Sequence, residues 1–534
     1  MAYAPLWDVG WSWDDEALVV DNQITGSLHN WREFFTRDLW GTTRLETLKS
    51  GYYRPFMLLS LAFDRAIFGL SAAAAHAHNL IWHLLATTTL YALLMSLIDR
   101  KGPVLAATAL FALHPVQSEV LALVAARNDS MAATFVLLSL WLLQGRTVNM
   151  WRLVAAGMAI LAGLLSKESA VLAVVMLLVL DLARWKRPGS GLRYLPFVVA
   201  GMIYMGLRSL ADLNHAIVPE ADNYSLVAKH GLDIAALYGK LLIWPWPLTP
   251  ARHVHYLPPL AENLFGLVIF TGLIALAFTR GRNKILVTVG FVWAALALAP
   301  TLAATLDKGL LGERYLYLPM AGLALAFGSA LYHARTWWIF LAILPCVLTL
   351  QLRLPHWQDS RTVWEHAHSV APSPFTAAGL AWYYNRDSDL DLAMPLLVMA
   401  LDGDPPYRDV CDLIIQAHIQ GGEIAEAARL GKWAIDERGC PPNGLIREHY
   451  AVALAATGQW QSAARIAMAR PSGPQGPGLV VIGAARVQQG DFESVQRAAQ
   501  AMTDDPTFLS RVAKLLVLGG EPEKADALLR SQTP

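Results

Sequence analysis

Residues 103–129 read PVLAATALFALHPVQSEVLALVAARND, an apolar run broken by His114-Pro115 and closed by Arg127-Asn128-Asp129. A bilayer crossing takes about 20 apolar residues, so the run is long enough to start one. The break predicts that the crossing ends at His114 and that the chain continues as a helix along the membrane surface. Polar clusters also interrupt the chain at Trp13-Asp14-Asp15-Glu16, Tyr53-Arg54-Pro55, Ser166-Lys167-Glu168-Ser169 and Glu313-Arg314-Tyr315. If the runs between them span a bilayer, all five clusters including His114–Glu119 fall on one face, which is how a membrane-embedded active site looks from sequence.

Composition supports that premise. Apolar residues make up 55% of the 534-residue chain and charged residues 16%, against roughly 25% charged in soluble domains; mean hydropathy is +0.37. Basic and acidic residues balance at 42 each, so no net basic surface argues for nucleic acid and no acidic tail for a solvating segment. Ten candidate spans lie near 76–98, 103–125, 129–145, 151–165, 169–183, 194–210, 263–279, 285–305, 316–333 and 336–353. Between Leu226 and Leu248, the segment Trp244-Pro245-Trp246-Pro247 favours an interfacial helix over a span.

Orientation follows from the short loops. Arg100-Lys101, Arg146 with Arg152, Arg184 with Lys186, Arg187 and Arg193, Arg280 with Arg282 and Lys284, and Arg335 mark the cytoplasmic side. The polar clusters and everything after Arg353 then face away from the cytoplasm. Only thirteen residues precede Asp14, too few for a signal peptide or a span, so a further helix upstream is expected in the natural protein. The domains expected are a non-cytoplasmic catalytic loop over 1–75, a membrane domain over 76–354 and a soluble helical domain over 355–534.

After His356 a repeat appears. Gly422-Glu-Ile-Ala-Glu-Ala427, Gly458-Gln-Trp-Gln-Ser-Ala463, Gly490-Asp-Phe-Glu-Ser-Val495 and Gly520-Glu-Pro-Glu-Lys-Ala525 align, with glycines 36, 32 and 30 residues apart, and Ser388–Ala393 fits the same slot. A period near 34, with glycine at the turn and alanine at the close contact, is the tetratricopeptide signature. Five such units predict a small solenoid with a peptide-binding concave face; the alternative is a plain helical domain without a groove. Of three cysteines, Cys346 lies in an apolar run, and Cys411 and Cys440 either pair or, the favoured reading, stand as separate buried thiols.

Ionisable groups at membrane depth are costly and mark function. Asp14 and Asp15, flanked by Trp11 and Trp13, suit a general base for an acceptor hydroxyl, or ligands for a hard divalent cation such as magnesium or manganese, the one cofactor expected if any is used; the alternative is a solvated loop. Arg54, Arg127, Lys167 and Arg314 are the cations available to a phosphate leaving group, although Arg127 beside Asn128-Asp129 and Lys167 beside Glu168 also read as helix-capping ion pairs. His114 and Glu119 suit acid–base work or a hydrogen-bonded helix start. His76, His78 and His83 have no convincing metal spacing and suit capping or core roles.

In order along the chain, these clusters resemble one family. Trp13-Asp14-Asp15 with Val20-Asp21-Asn22, Tyr53-Arg54-Pro55, His76–His83 (HAHNLIWH), Phe111–Glu119 (FALHPVQSE), Ala126–Asp129, Leu165–Glu168 (LSKE) and Glu313–Pro319 (ERYLYLP) are similar to the transmembrane and tetratricopeptide-repeat glycosyltransferases, which are related to protein O-mannosyltransferases. Gln117 stands where that family often has a second histidine. The resemblance implies an all-α GT-C membrane domain followed by a tetratricopeptide-repeat solenoid. It also implies transfer of mannose or another hexose from a polyprenyl-phosphate carrier to an acceptor hydroxyl outside the cytoplasm. Asp14 or Asp15 would be the base of an inverting single displacement, with Arg54, Arg127, Lys167 and Arg314 at the donor phosphate and His114, Glu119 and Glu168 shaping the substrate. The repeats suggest a protein or peptide acceptor, with membrane lipid as the remaining partner and no nucleic acid. A glycolipid or polysaccharide acceptor, a non-catalytic scaffold docking envelope proteins, and a transporter are the alternatives. Alanine- and arginine-rich usage points to a bacterial inner membrane with periplasmic repeats; a eukaryotic chain would hold them in the endoplasmic reticulum lumen.

Overall fold

The computed structural model describes all residues except 1, 44–49, 145–147, 184–190, 212–220, 259, 281–283, 334–336, 404–406, 408–409, 437–443, 469–476, 502–506 and 531–534. The chain forms two compact units, Met1–Ala371 and Pro372–Pro534. Both are helical, as the sequence predicts; among the described residues the only strand pairing is the antiparallel match of Arg252–His253 with Leu310–Leu311.

In the first unit each of the ten apolar runs coincides with a helix or helical segment, including Ala72–Leu97, Lys101–Leu113, Arg127–Leu142, Met150–Ser166, Leu172–Ala183, Leu195–Ser209, Leu260–Arg280, Lys284–Lys308, Tyr317–Ala330 and Trp337–Arg353. Two helical stretches are long and apolar enough to cross a membrane among the described residues, Ala72–Leu97 and Glu313–His333. A third counts if Lys101–Leu113 and Pro115–Ala122, bent by 48° at His114, form one span. The bend has a local cause: Pro115 brings no backbone N–H to continue the helix, and the His114 ring caps the next turn by accepting the Val116 N–H. Met150–Ser166 and Lys284–Ala299 are apolar but shorter.

Two apolar cores organise this unit. Leu90, Phe111, Leu137, Leu164 and Trp293 belong to the one between the long helices. Leu6, Val9, Leu18, Phe34, Met57, Leu123, Trp357 and Val363 form another, which seats the N-terminal segment against chain more than 300 residues away.

Among the described residues the second unit forms five helix pairs, Pro374–Arg386 with Leu390–Asp402, Cys411–Gln420 with Ile424–Asp436, Gly444–Ala456 with Trp460–Met468, Pro477–Gln488 with Phe492–Ala501, and Phe508–Leu518 with Pro522–Arg530. Their turns share one geometry. Gly422, Gly458, Gly490 and Gly520 have φ of 79°, 78°, 90° and 83°, and Ser388 occupies the equivalent place at 65°. At each turn the next N–H reaches back five residues, as in Asp389 to Tyr384, Glu423 to His418, Gln459 to Leu454, Asp491 to Arg486 and Glu521 to Leu516. That left-handed closure satisfies the last helical carbonyls and favours glycine, which is why the glycine spacing was readable. Small residues such as Ala381, Ala393, Ala427 and Ala453 pack where the helices meet. Cys411 is disulfide-bonded, correcting the reading of separate thiols, because spacing alone does not reveal a pairing; Cys440 lies outside the described residues. Cys346 is free and buried.

Candidate active site

The site is assembled from helix ends. Arg54 precedes Pro55–Phe68, Asp129 stands in the first turn of Arg127–Leu142, Lys167 follows Met150–Ser166, and Arg314 lies in the short turn leading into Tyr317–Ala330. A carboxylate holds each cation. Glu168 accepts from Arg54 Nε at 3.4 Å and Nη2 at 3.3 Å and from the Tyr53 N–H at 3.2 Å. Asp129 Oδ1 lies 2.5 Å from Lys167 Nζ. Glu119 pairs with the Arg314 guanidinium and accepts the Arg314 N–H at 2.9 Å.

These pairs form one electrostatic cluster. The charges of Arg54 and Arg314 act on Lys167, that of Asp14 acts on Arg314, and that of Asp129 acts on all three cations. The side chains of Arg54, Lys167 and Arg314 keep 13%, 16% and 21% of their surface exposed, whereas Glu119 is sealed. Cations fixed at helix ends that keep part of their surface exposed form a preorganised seat for an anion. Aromatic faces support it: the Arg54 guanidinium sits 4.4 Å from the Tyr52 ring centre, and that of Arg314 lies 5.7 Å from Trp13 and 5.3 Å from Tyr315.

Asp14 and Asp15 occupy different environments. Asp15 is fully buried and accepts backbone N–H bonds from Ala125 at 2.7 Å, Val124 at 3.1 Å and Ser12 at 3.5 Å. Burial pushes its carboxyl up to about 7, against the lowering effect of those three bonds. It anchors the N-terminal loop to the segment before Arg127. Asp14 is half-buried and within electrostatic reach of Arg314. Both oxygens of Asp15 are thus engaged by backbone N–H groups. Among the described residues no group of three or more His, Cys, Asp or Glu stands in a metal-holding arrangement.

Other residues singled out in the sequence lie elsewhere. Arg127 is fully buried in a separate network, bonding Asn79 Oδ1 at 2.6 Å, Ser60 Oγ at 2.9 Å and the Ala75 carbonyl at 2.9 Å, with Asp64 at 2.6 Å. His78 completes that network, 2.5 Å from Asp64. His114 takes the Val116 N–H on Nδ1 and gives its Nε2 proton to the Leu242 carbonyl at 3.2 Å. His76 bridges the Leu121 and Gly10 carbonyls, and His83 joins Tyr317 to the Ala112 carbonyl. Asp129, read from sequence as part of a capping pair and of the Ala126–Asp129 motif but not as a site residue, is a member of the cluster; its signal was an acid in a helix's first turn, one residue beyond Asn128 at a run end.

No family model matches the chain. Among curated proteins it is 30% identical over 184 residues to the protein O-mannosyl-transferase Tmtc2 of Drosophila melanogaster, a match covering 33% of this chain and 20% of that protein. It is 27% identical over 128 residues to TMTC3 of Homo sapiens, covering 24% of this chain and 14% of that protein. The chain thus spans about a fifth of the length of the Drosophila relative it matches. Among solved structures, ArnT from Cupriavidus metallidurans, in the apo state and bound to undecaprenyl phosphate, aligns with TM-scores of 0.36 at 15% and 16% identity, covering 98% of this chain and 75% and 76% of the ArnT chains. Over the aligned third, this chain is similar in sequence to the TMTC protein O-mannosyl-transferases, the family that its motif order resembles.

Proposed function

We propose that the protein is a multi-pass membrane glycosyltransferase that moves a hexose from a polyprenyl-phosphate carrier to an acceptor hydroxyl outside the cytoplasm. The observation that carries this reading is the clustering of Arg54, Lys167 and Arg314, from three distant helix ends, around Asp129, with Asp14 within electrostatic reach of Arg314. Asp14 takes the proton of the acceptor hydroxyl. The oxygen attacks the anomeric carbon from the side opposite the phosphate, and the bond from that carbon to the phosphate oxygen breaks with inversion. The departing lipid phosphate gains a second negative charge, which three fixed cations stabilise more strongly than the ground state. Glu119 and Glu168 orient Arg314 and Arg54 rather than touching sugar.

Large apolar side chains on the outer faces of helices, such as Ile81, Leu84, Met158, Leu182 and Met202, are exposed, as lipid-covered surfaces would be. A disulfide at Cys411 suits an oxidising compartment, which supports placing the repeat unit away from the cytoplasm. There the helix pairs would present an acceptor polypeptide in the manner of tetratricopeptide repeats. The test is release of labelled hexose from polyprenyl-phosphate-hexose by the full chain in proteoliposomes, with and without an unfolded peptide acceptor. Transfer weakened in Arg314→Gln and stimulated by peptide supports the reading; transfer only to lipid or polysaccharide replaces the acceptor, and no turnover with several hexoses overturns the enzyme.

A further inference from the structure

The loop that carries Asp14 is held by a segment nearly 350 residues downstream. Trp13 has φ of 51°, a left-handed conformation that a bulky side chain rarely adopts and that persists only where the surroundings over-determine it. The surroundings here are supplied by the helix Ser360–Val370. The Trp13 N–H donates to Ser360 Oγ at 2.8 Å. That hydroxyl donates in turn to Glu16 Oε1 at 2.5 Å. One serine thereby ties together the residues on both sides of Asp14-Asp15. The Trp13 ring meets Trp364 edge to face at 5.2 Å, and the Arg314 guanidinium lies 5.7 Å from it.

The approach to this helix is equally tight. The Gly10 N–H donates to the Gln358 carbonyl at 2.9 Å, and a Cβ at Gly10 would lie 2.4 Å from that oxygen. Ser360 and Trp364 are 2% and 5% exposed, so neither binds a ligand directly.

We propose that the helix Ser360–Val370 is a brace for the catalytic loop, with Ser360 and Trp364 as positioning residues that set Trp13 and through it hold Asp14 beside Arg314. The inference rests on reading Asp14 as the base. Its consequence is a division of labour: the donor phosphate is bound by residues of the helix ends, while the rate depends on the brace.

The experiment compares wild type, Ser360→Ala, Ser360→Thr and Trp364→Phe in the full chain, with polyprenyl-phosphate-hexose as the probe, and follows amide hydrogen exchange over residues 10–20. Ser360→Ala is expected to lower kcat about tenfold or more, in line with the cost of a misplaced reacting group, with the donor KM unchanged. It should also speed exchange at Trp13–Glu16. Ser360→Thr, which keeps the hydroxyl, should recover most of both, and Trp364→Phe, which keeps an aromatic edge, should fall between. A kcat within twofold of wild type, or unchanged exchange in Ser360→Ala, overturns the brace. Asp14→Asn run alongside separates the two claims: full transfer in that variant removes the base assignment, and the exchange result still decides whether Ser360 holds the loop.

Discussion

Arg127 and Arg314 look alike in the sequence, each at a run end beside an acid, but the fold gives them opposite surroundings. Arg127 has no exposed surface, and Asn79, Ser60, Ala75 and Asp64 saturate its guanidinium across three helices. Arg314 is steered by one sealed carboxylate, Glu119, and keeps part of its surface open, with Lys167 within electrostatic reach. A cation whose donors are all consumed by protein is architecture. One oriented from behind and open in front can meet a ligand. Asp15 and Asp14 repeat the contrast: the first is locked by backbone N–H groups and the second stands near Arg314.

The largest effect that would sharpen this contrast is on Arg127. Arg127→Met leaves buried Asp64 without its guanidinium, with only His78 beside it, and breaking a buried pair costs about 3–5 kcal/mol. The expected outcome is loss of folded protein on size-exclusion chromatography. A well-folded Arg127→Met protein with weakened donor binding would instead move Arg127 into the site.

Asp15 comes next, through pH. Its carboxyl is raised from the usual 3.8 to about 7 by burial, so the folded state holds the proton more tightly than the unfolded chain. That contribution to stability is fully present below pH 4 and is lost as pH rises through about 7, an effect on the order of a few kcal/mol. Thermal melts should fall between pH 5 and pH 8 in wild type, with that part of the slope absent in Asp15→Asn. Equal slopes in the two proteins would break the structural assignment of Asp15.

Smaller effects follow at the open cations. Arg54→Gln, Lys167→Gln and Arg314→Gln should each weaken donor binding about tenfold, near the upper worth of a charge-assisted hydrogen bond, with melting temperatures close to wild type. Isothermal titration with polyprenyl phosphate checks this. The smallest effect is expected in the repeats, where Gly458→Ala, at φ of 78°, should cost about 1 kcal/mol of stability and leave donor binding untouched.

The parts of this molecule legible in the sequence are those written locally. Glycine at four of the five left-handed turns, with Ser388 at the other, announced the helix pairs, and apolar runs announced the long helices, because both signals need only neighbouring residues. Arg54, Lys167 and Arg314 stand out in the sequence because run ends are where ionisable groups can sit. What separates Arg127 from them is the set Asp64, Ser60 and Asn79, on two other helices, which no local pattern exposes. Ser360 and Trp364 were grouped by composition with the soluble repeats, yet they pack in the first unit against Trp13. The bond at Cys411 is the less favoured of two readings of the sequence for the same reason: pairing is a fact of the third dimension.

The most direct test of the central claim is hexose transfer from polyprenyl-phosphate-hexose by the purified full chain, wild type against Asp14→Asn, with melting temperature measured on the same samples. The expected result is a rate lowered at least a hundredfold, within the roughly 10²–10⁴ range of general base catalysis, with donor binding and melting temperature unchanged. Transfer at the wild-type rate by a folded Asp14→Asn protein would contradict the site described here.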